Sequence, residues 1–212
     1  MKALAYSVFL LMGVHLVALN AQVRVGAFAG TNIASLTVPD DLLPSATRKM
    51  RLGLVVGGTA ELQLSDLLSL RIDPRFIQKG FRTEITDATG TTKSAQTINY
   101  LEIPLSAIVT FAETDIRPFL LGGANLGFIL SASEDATLSD GQTIPTLDTK
   151  SNYKSYDFAF DVGGGIEYVF SPSTSIVGLA RYSFGLTNVY QVPGYNGKTR
   201  NLQFQVGALL AL

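Results

Sequence analysis

The chain has 212 residues, a formal net charge of −1, 47% apolar residues and only 16% charged residues. This charge balance excludes an electrostatic nucleic-acid partner, which requires a basic face. There is no cysteine, and His15 is the only histidine. Disulfides and thiolate metal sites are therefore excluded, and histidine-based catalysis has a single residue to draw on.

The first 21 residues are predicted to form an export signal. Lys2 precedes an apolar run that ends at Leu19, and Ala21 is a small residue suited to cleavage before Gln22. The alternative, an uncleaved membrane anchor, is disfavoured because His15 interrupts the run. Cleavage would remove this histidine, and with it triad hydrolysis and histidine-bound zinc.

After residue 22, apolar side chains recur at every second position, which is the period of a β-strand with two unlike faces. In the last segment, Leu202, Phe204 and Val206 share one face, whereas Gln203 and Gln205 share the other. We predict eight such strands, near residues 23–36, 48–64, 68–86, 96–111, 116–132, 155–170, 175–189 and 199–212.

The predicted connections alternate in length. Three are tight turns (65–67, 112–115 and 171–174), and four are long and polar (37–47, 87–95, 133–154 and 190–198). In an antiparallel meander this places every long loop at one end. Long loops at one end and short turns at the other are typical of bacterial outer-membrane barrels. We therefore predict an all-β fold, an eight-stranded up-and-down transmembrane barrel over residues 22–212, after a signal peptide at 1–21.

The interior of an eight-stranded barrel is narrow and filled by side chains. The apolar faces of eight strands would overfill it, so they are assigned to lipid and the charged faces to the interior. Buried charges require partners. We predict a structural ion network of Arg51, Glu61, Arg71, Asp73, Arg75, Glu102, Arg117, Asp157, Asp161, Glu167 and Arg181, with Arg24 and Lys79 on the same face.

Glycine and aromatic residues fit the same interpretation. The run Gly163-Gly164-Gly165 lacks the Lys-Ser/Thr pair and helix of a phosphate loop, so it is predicted to let a strand bend and to make room for a large neighbour. Aromatic rings at the water–lipid boundary are expected near strand ends, at Phe111, Phe119, Tyr168, Phe170, Tyr182 and Phe184.

Several segments resemble a known family. Asn99–Leu105 reads NYLEIPL, a signature of the PorT-like outer-membrane β-barrel family of Gram-negative bacteria, and the segments 71–80, 118–123, 157–165 and 181–188 resemble other strands of that family. The resemblance implies a barrel in the outer membrane. It also implies an aromatic last residue that the barrel-insertion machinery reads, and here Leu212 stands in that place.

The expected function is structural or surface-binding, exerted through the long outer loops of a plugged, monomeric, non-enzymatic barrel. No catalytic residue, cofactor or metal is expected. The expected partners are outer-membrane lipids, the barrel-insertion machinery, and an extracellular or periplasmic molecule that the sequence does not specify. Two alternatives stay open, namely a narrow pore or accessory of protein secretion or nutrient uptake, and a secreted lipocalin-like ligand-binding barrel. An enzyme that uses carboxylates alone is the least favoured reading.

Overall fold

A computed structural model of the protein describes residues 22–37, 46–87, 90–111 and 114–212. The predicted export signal at 1–21 lies outside the described residues. The described chain forms the strands β1 (Gln22–Thr37), β2 (Ala46–Gln63), β3 (Leu68–Ile72), β4 (Arg75–Asp87), β5 (Gly90–Thr110), β6 (Ile116–Thr137), β7 (Thr143–Asp148), β8 (Tyr156–Ser171), β9 (Thr174–Gly185) and β10 (Lys198–Ala211). Within these ranges, no helix is long and apolar enough to cross a bilayer.

The strands close into one antiparallel barrel. β1 pairs with β10 over most of its length, from Arg24 opposite Ala211 to Thr37 opposite Lys198. The other pairings follow the chain order, except that β2 and β5 each pair with both β3 and β4, and β6 pairs with both β7 and β8. Eight strand positions form the ring, which confirms the predicted all-β, up-and-down architecture. The sheet has ten strands, because β3 and β4 share one position and β7 is an addition at the outer end.

Pro74 divides the third predicted strand into β3 and β4. Both halves pair with β5 in one register, with Ile72 opposite Leu105 and Arg75 opposite Glu102. Proline has no N–H to donate, so the hydrogen-bond ladder is interrupted there although the strand continues. The carbonyl of Pro74 still accepts a hydrogen bond from the Gly58 N–H at 3.0 Å.

At the long-loop end the strands extend further than predicted. The loop expected at 87–95 is mostly strand, since β4 and β5 stay paired as far as Asp87 opposite Gly90. The loop expected at 133–154 contains the end of β6, all of β7 and a single 3-10 turn at Lys150–Asn152. In contrast, β9 ends at Gly185, before the predicted residue 189.

The two faces of the wall lie as the alternation predicts. Phe204 and Leu210 are each 49% exposed on the outside, whereas Arg71 and Glu102 are 4% and 0% exposed inside. An apolar exterior suits lipid and does not suit water. This arrangement contradicts the lipocalin-like alternative, which requires the apolar face inside.

The aromatic residues divide between the two faces. Phe111, Tyr168, Phe170 and Phe184 are exposed on the outside, as expected near a membrane boundary. Phe119 is instead 3% exposed and lies in the interior, so its prediction as a boundary residue is wrong. Its ring covers Gly165 of β8, where a Cβ atom would lie 2.6 Å from the ring. The glycine run continues a strand and makes room for a large side chain.

Candidate functional site

The barrel interior holds most of the buried charge, in two clusters. The rim cluster, near the short turns, consists of Arg24, Glu61, Arg71 and Glu167. Arg24 bridges Glu61 and Glu167, and its distance to Glu167 is 2.5 Å. Arg71 donates from Nε to Glu61 at 2.7 Å. Two cations thus face two carboxylates, contributed by strands β1, β2, β3 and β8.

The central cluster lies deeper and contains Asp73, Arg75, Lys79, Glu102, Asp157, Asp161 and Arg181. Arg75 is within 2.5 Å of Glu102 and within 3.0 Å of Asp161. Lys79 binds the other oxygen of Glu102 at 2.6 Å and approaches Asp157 at 3.4 Å. Glu102, in the middle of β5, therefore joins two cations that both project from β4.

Arg181 completes the central cluster from the opposite side of the barrel. Its guanidinium lies 2.5 Å from Asp73 and 3.5 Å from Asp161. Neutral side chains satisfy further carboxylate oxygens. Asn125 donates to Glu102 at 3.0 Å, and Thr199 donates to Asp157 at 2.8 Å.

The central cluster contains three cations and four carboxylates, all fully or almost fully buried. Taking such charges out of water is costly, and pairing offsets the cost only when the geometry is good. The network therefore fixes the relative positions of the strands that supply its members. Removing one of its cations would leave two cations to balance four buried carboxylates.

The predicted network residues divide into two groups. The structure brings nine into the two clusters: Glu61, Arg71, Asp73, Arg75, Glu102, Asp157, Asp161, Glu167 and Arg181. Arg24 and Lys79 join them. Arg51 and Arg117 do not. Arg51 lies half-buried at the long-loop end, near Arg82 and Asp135. Arg117 lies at the opposite rim, where its Nε donates to the Thr114 carbonyl at 3.0 Å.

Sequence reasoning missed the apolar part of the interior. The apolar plug, on the long-loop side of the central cluster, consists of Leu36, Val55, Ile77, Ile98, Tyr100, Ile129, Ala132, Tyr153 and Val189. The apolar wall, in the short-turn half, consists of Ile108, Phe119, Leu121, Val177, Leu179 and Leu209. The alternation of side chains along each strand could have identified them. Ile77 lies on the same face of β4 as Arg75, and Ile98 lies on the same face of β5 as Glu102.

Charged and apolar layers are in direct contact. The ammonium of Lys79 lies 4.4 Å from the centre of the Tyr100 ring, and the guanidinium of Arg71 lies 5.5 Å from the centre of the Phe119 ring. Cations over aromatic faces are attracted by the ring quadrupole. These contacts join the central cluster to the apolar plug and the rim cluster to the apolar wall.

Two outer loops meet over the plug and form a cap. The rings of Tyr153 and Tyr190 stack with centres 5.2 Å apart. The Lys154 N–H donates to the Val189 carbonyl, and the Gln191 N–H donates to the Asn152 carbonyl, each at 2.9 Å. Burial and the neighbouring Tyr190 raise the pKa of Tyr153, so its hydroxyl stays protonated.

Cavities adjoin the interior clusters. A polar vestibule of about 270 Å³ opens at the short-turn end, bounded by Gln22, Arg24, Gln63, Asp66, Ser69, Thr110, Arg117 and Glu167. Deeper inside, a space of about 20 Å³ lies beside Phe28, Arg71 and Leu179. That space is about the size of one water molecule. In the part of the chain that the structure describes, no group of three or more His, Cys, Asp or Glu side chains is arranged to hold a metal ion.

A comparison with known families identifies this architecture. Residues 20–191 match the family described as outer membrane protein beta-barrel domain. The chain belongs to that family. Its location is therefore the outer membrane, which confirms the localisation predicted from the connections and the two faces. No curated protein sequence matches the chain.

Solved structures support the same fold. The chain is similar to Neisserial surface protein A, with 18% identity, a TM-score of 0.52, and coverage of 90% of this chain and 98% of that one. It is similar to a major outer membrane protein from Thermus thermophilus, with 14% identity, a TM-score of 0.51 and coverage of 91% and 100%. OprG from Pseudomonas aeruginosa shares 12% identity, with a TM-score of 0.50 and coverage of 91% and 95%. At these identities the likeness shows the fold alone.

Proposed function

We propose that this outer-membrane barrel is a plugged, non-conducting anchor that presents a rigid loop surface outside the cell. The observation that carries the proposal is the filling of the interior. The central cluster occupies the middle of the barrel, and the apolar plug adjoins it on the long-loop side. An ion entering from the short-turn end would have to separate buried ion pairs and then cross an apolar layer.

The outer loops support a surface-binding role. Asn188 orders the loop after β9, because its side chain accepts hydrogen bonds from the Tyr190 and Gly197 N–H groups and donates to the Tyr195 carbonyl. Val192 and Tyr195 are 40% and 45% exposed in that loop. A rigid loop with exposed apolar side chains is suited to contact another molecule with little loss of conformational entropy.

The same geometry supports a non-enzymatic role. Among the described residues, the six carboxylates of the two interior clusters are each paired with a cation, so none of these six is placed as a free general acid or base. Our proposal extends to membership of the PorT-like group, cleavage at Ala21 by signal processing, and a monomeric barrel assembled by the insertion machinery. The strand that carries the NYLEIPL resemblance, β5, supplies Glu102 to the central cluster.

Single-channel recording in planar lipid bilayers tests the plugged interior. The purified barrel is expected to give no steady conductance, while its heat-modifiable migration on a denaturing gel verifies that it is folded. Stable channels of nanosiemens size would contradict the proposal. A porin reconstituted in parallel establishes that the bilayers report open channels.

The polar vestibule favours a second candidate, a narrow pore or an accessory of secretion or nutrient uptake. The vestibule leads from the short-turn rim to Arg24 and Glu167, which are the first members of the rim cluster. If the interior ion pairs can separate and open a narrow pore, Arg71→Ala or Glu102→Ala should raise the leakage of small ions through the barrel interior. Arg117→Ala is the matched control, since it removes a cation from the rim. Equal, negligible leakage in all variants argues for the plug.

A further inference from the structure

A group of cations lies at the long-loop end, away from the interior network. Lys49 of β2 stands directly opposite Arg82 of β4, and Lys93 of β5 stands opposite Glu84. Like charges directly opposite each other on neighbouring strands are destabilising. Two adjacent cations at such a position therefore point to an anion that both can share. We call Lys49, Arg51, Arg82 and Lys93 the basic patch.

Arg51 adds a third cation beside this pair. It lies where the pairing of β2 with β4 is irregular, between Met50 and Val55, and the charge of Arg82 acts on it directly. One terminal nitrogen of its guanidinium is buried and has no hydrogen-bond partner among the described residues. A guanidinium presents donors in a planar fork that matches a phosphate or carboxylate group.

The carboxylates nearby do not balance the patch. Glu84 is held by Lys49 at 2.6 Å, and the hydrogen bond and charge of Lys49 lower the pKa of Glu84. Asp135 accepts a hydrogen bond from Thr146 at 2.6 Å and is the acidic neighbour of Arg51. Four cations therefore face two carboxylates in the described part of this surface.

The patch adjoins the lipid-facing wall. Leu52 and Leu54 follow Arg51 along β2 and are 65% and 61% exposed on the outer surface. On β4 the patch begins beyond Gln78, which is opposite Asn99 in a polar row above the apolar band. Side chains at this height lie among lipid headgroups, and the long-loop end faces the outer leaflet.

We propose that the basic patch binds the phosphate group of a phosphorylated glycolipid in the outer leaflet. Arg51 and Arg82 form the site, with charge-assisted hydrogen bonds to the phosphate oxygens, while Leu52 and Leu54 contact the acyl chains. Lys49 and Lys93 add charge at its edge. This site is separate from the loop surface that carries the proposed function, so each can fail without the other.

Native mass spectrometry of the full chain in a neutral detergent measures lipid binding directly. Diphosphoryl lipid A is the probe, and the same lipid after removal of its phosphates is the comparison. Binding is expected with the first and at least tenfold weaker with the second. Equal binding of the two lipids overturns the proposal, as does displacement of diphosphoryl lipid A by millimolar inorganic phosphate, which would indicate a site for the free ion.

The double variant Arg51→Gln/Arg82→Gln is expected to bind diphosphoryl lipid A about tenfold more weakly for each guanidinium lost. Lys150→Gln/Lys198→Gln is the matched control, because it removes two exposed cations from the same end of the barrel. Heat-modifiable migration verifies that both variants fold. Arg51→Lys/Arg82→Lys keeps the charge but loses the planar fork, and an intermediate affinity is expected. Equal weakening in the double variant and its control would indicate general charge attraction and overturn the assigned site.

Discussion

The charge count of the central cluster predicts that losing a cation destabilises the barrel more than losing a carboxylate. The wild-type cluster has three cations and four carboxylates. Arg75→Gln leaves two cations against four carboxylates, whereas Glu102→Gln leaves three against three. We therefore expect Arg75→Gln to destabilise the barrel considerably more than Glu102→Gln, although both remove a fully buried charge.

The expected magnitudes follow from the contacts that remain. Without Arg75, Glu102 keeps Lys79 at 2.6 Å. Asp161 then keeps one cation, Arg181 at 3.5 Å, which Asp73 shares, and the neutral donor Asn125 at 3.4 Å. Breaking a buried pair from one side costs about 3–5 kcal/mol. Without the charge of Glu102, Arg75 keeps Asp161 and Lys79 keeps Asp157. The cost then approaches that of one buried hydrogen-bonding group, about 1–3 kcal/mol.

Urea unfolding in lipid vesicles measures the difference. The chain has no tryptophan, so far-UV circular dichroism and the gel-shift fraction report folding. Glu84→Gln, at an exposed ion pair with Lys49, is the control and should leave the midpoint unchanged. Equal losses for Arg75→Gln and Glu102→Gln, or a wild-type midpoint for Arg75→Gln, would refute the reasoning from charge balance.

Three further predictions concern packing, lipid and the cap. Gly165→Val should destabilise the barrel by about 1–3 kcal/mol in urea unfolding, because the new Cβ atom collides with the Gly178 carbonyl and, at 2.6 Å, with the Phe119 ring; Phe119→Ala should therefore cost less in the Gly165→Val background than in the wild type, since it relieves the second collision. Val206, which is 64% exposed, faces lipid, so Val206→Arg should cost about 2–4 kcal/mol in vesicles near the bilayer midplane; a neutral result would contradict the face assignment. Tyr190→Ala removes the stacked ring of the cap, so trypsin should cleave at Lys150 faster while heat-modifiable migration persists; unchanged cleavage would show that the cap does not depend on the stack.

Period-two alternation predicted the barrel well where one face meets lipid, since lipid makes the contrast between faces strong. It failed where that contrast is absent. Beyond the membrane both faces of the β4–β5 hairpin are polar, so the segment 87–95 resembles a loop. Phe119 is followed by two leucines, and hydropathy alone cannot say which of the three points inward.

The candidate network was predictable because an isolated charge within an apolar strand indicates which alternate positions of that strand face the barrel interior. Arg51 was predicted to join the network but lies outside both clusters. The pairing of β2 with β4 is irregular beside it, between Met50 and Val55, and the residue pattern does not indicate such an irregularity. The apolar plug was missed because charges were used as the marker of the interior. Tyr100 and Ile98 lie two and four residues before Glu102 on β5, so the inward position of Glu102 also predicts that these two apolar side chains face the interior.

The bridge made by Arg24 has a consequence for biogenesis. This residue of the first strand contacts Glu61 on the next strand and Glu167 on β8, near the far end of the chain. The Glu167 contact forms only after the last strands have arrived and β1 has met β10. A half-inserted sheet would carry two open edges and unpaired ions into hydrocarbon, which is very unfavourable. Insertion and closure should therefore occur as one concerted event, with no stable partial barrel in the bilayer.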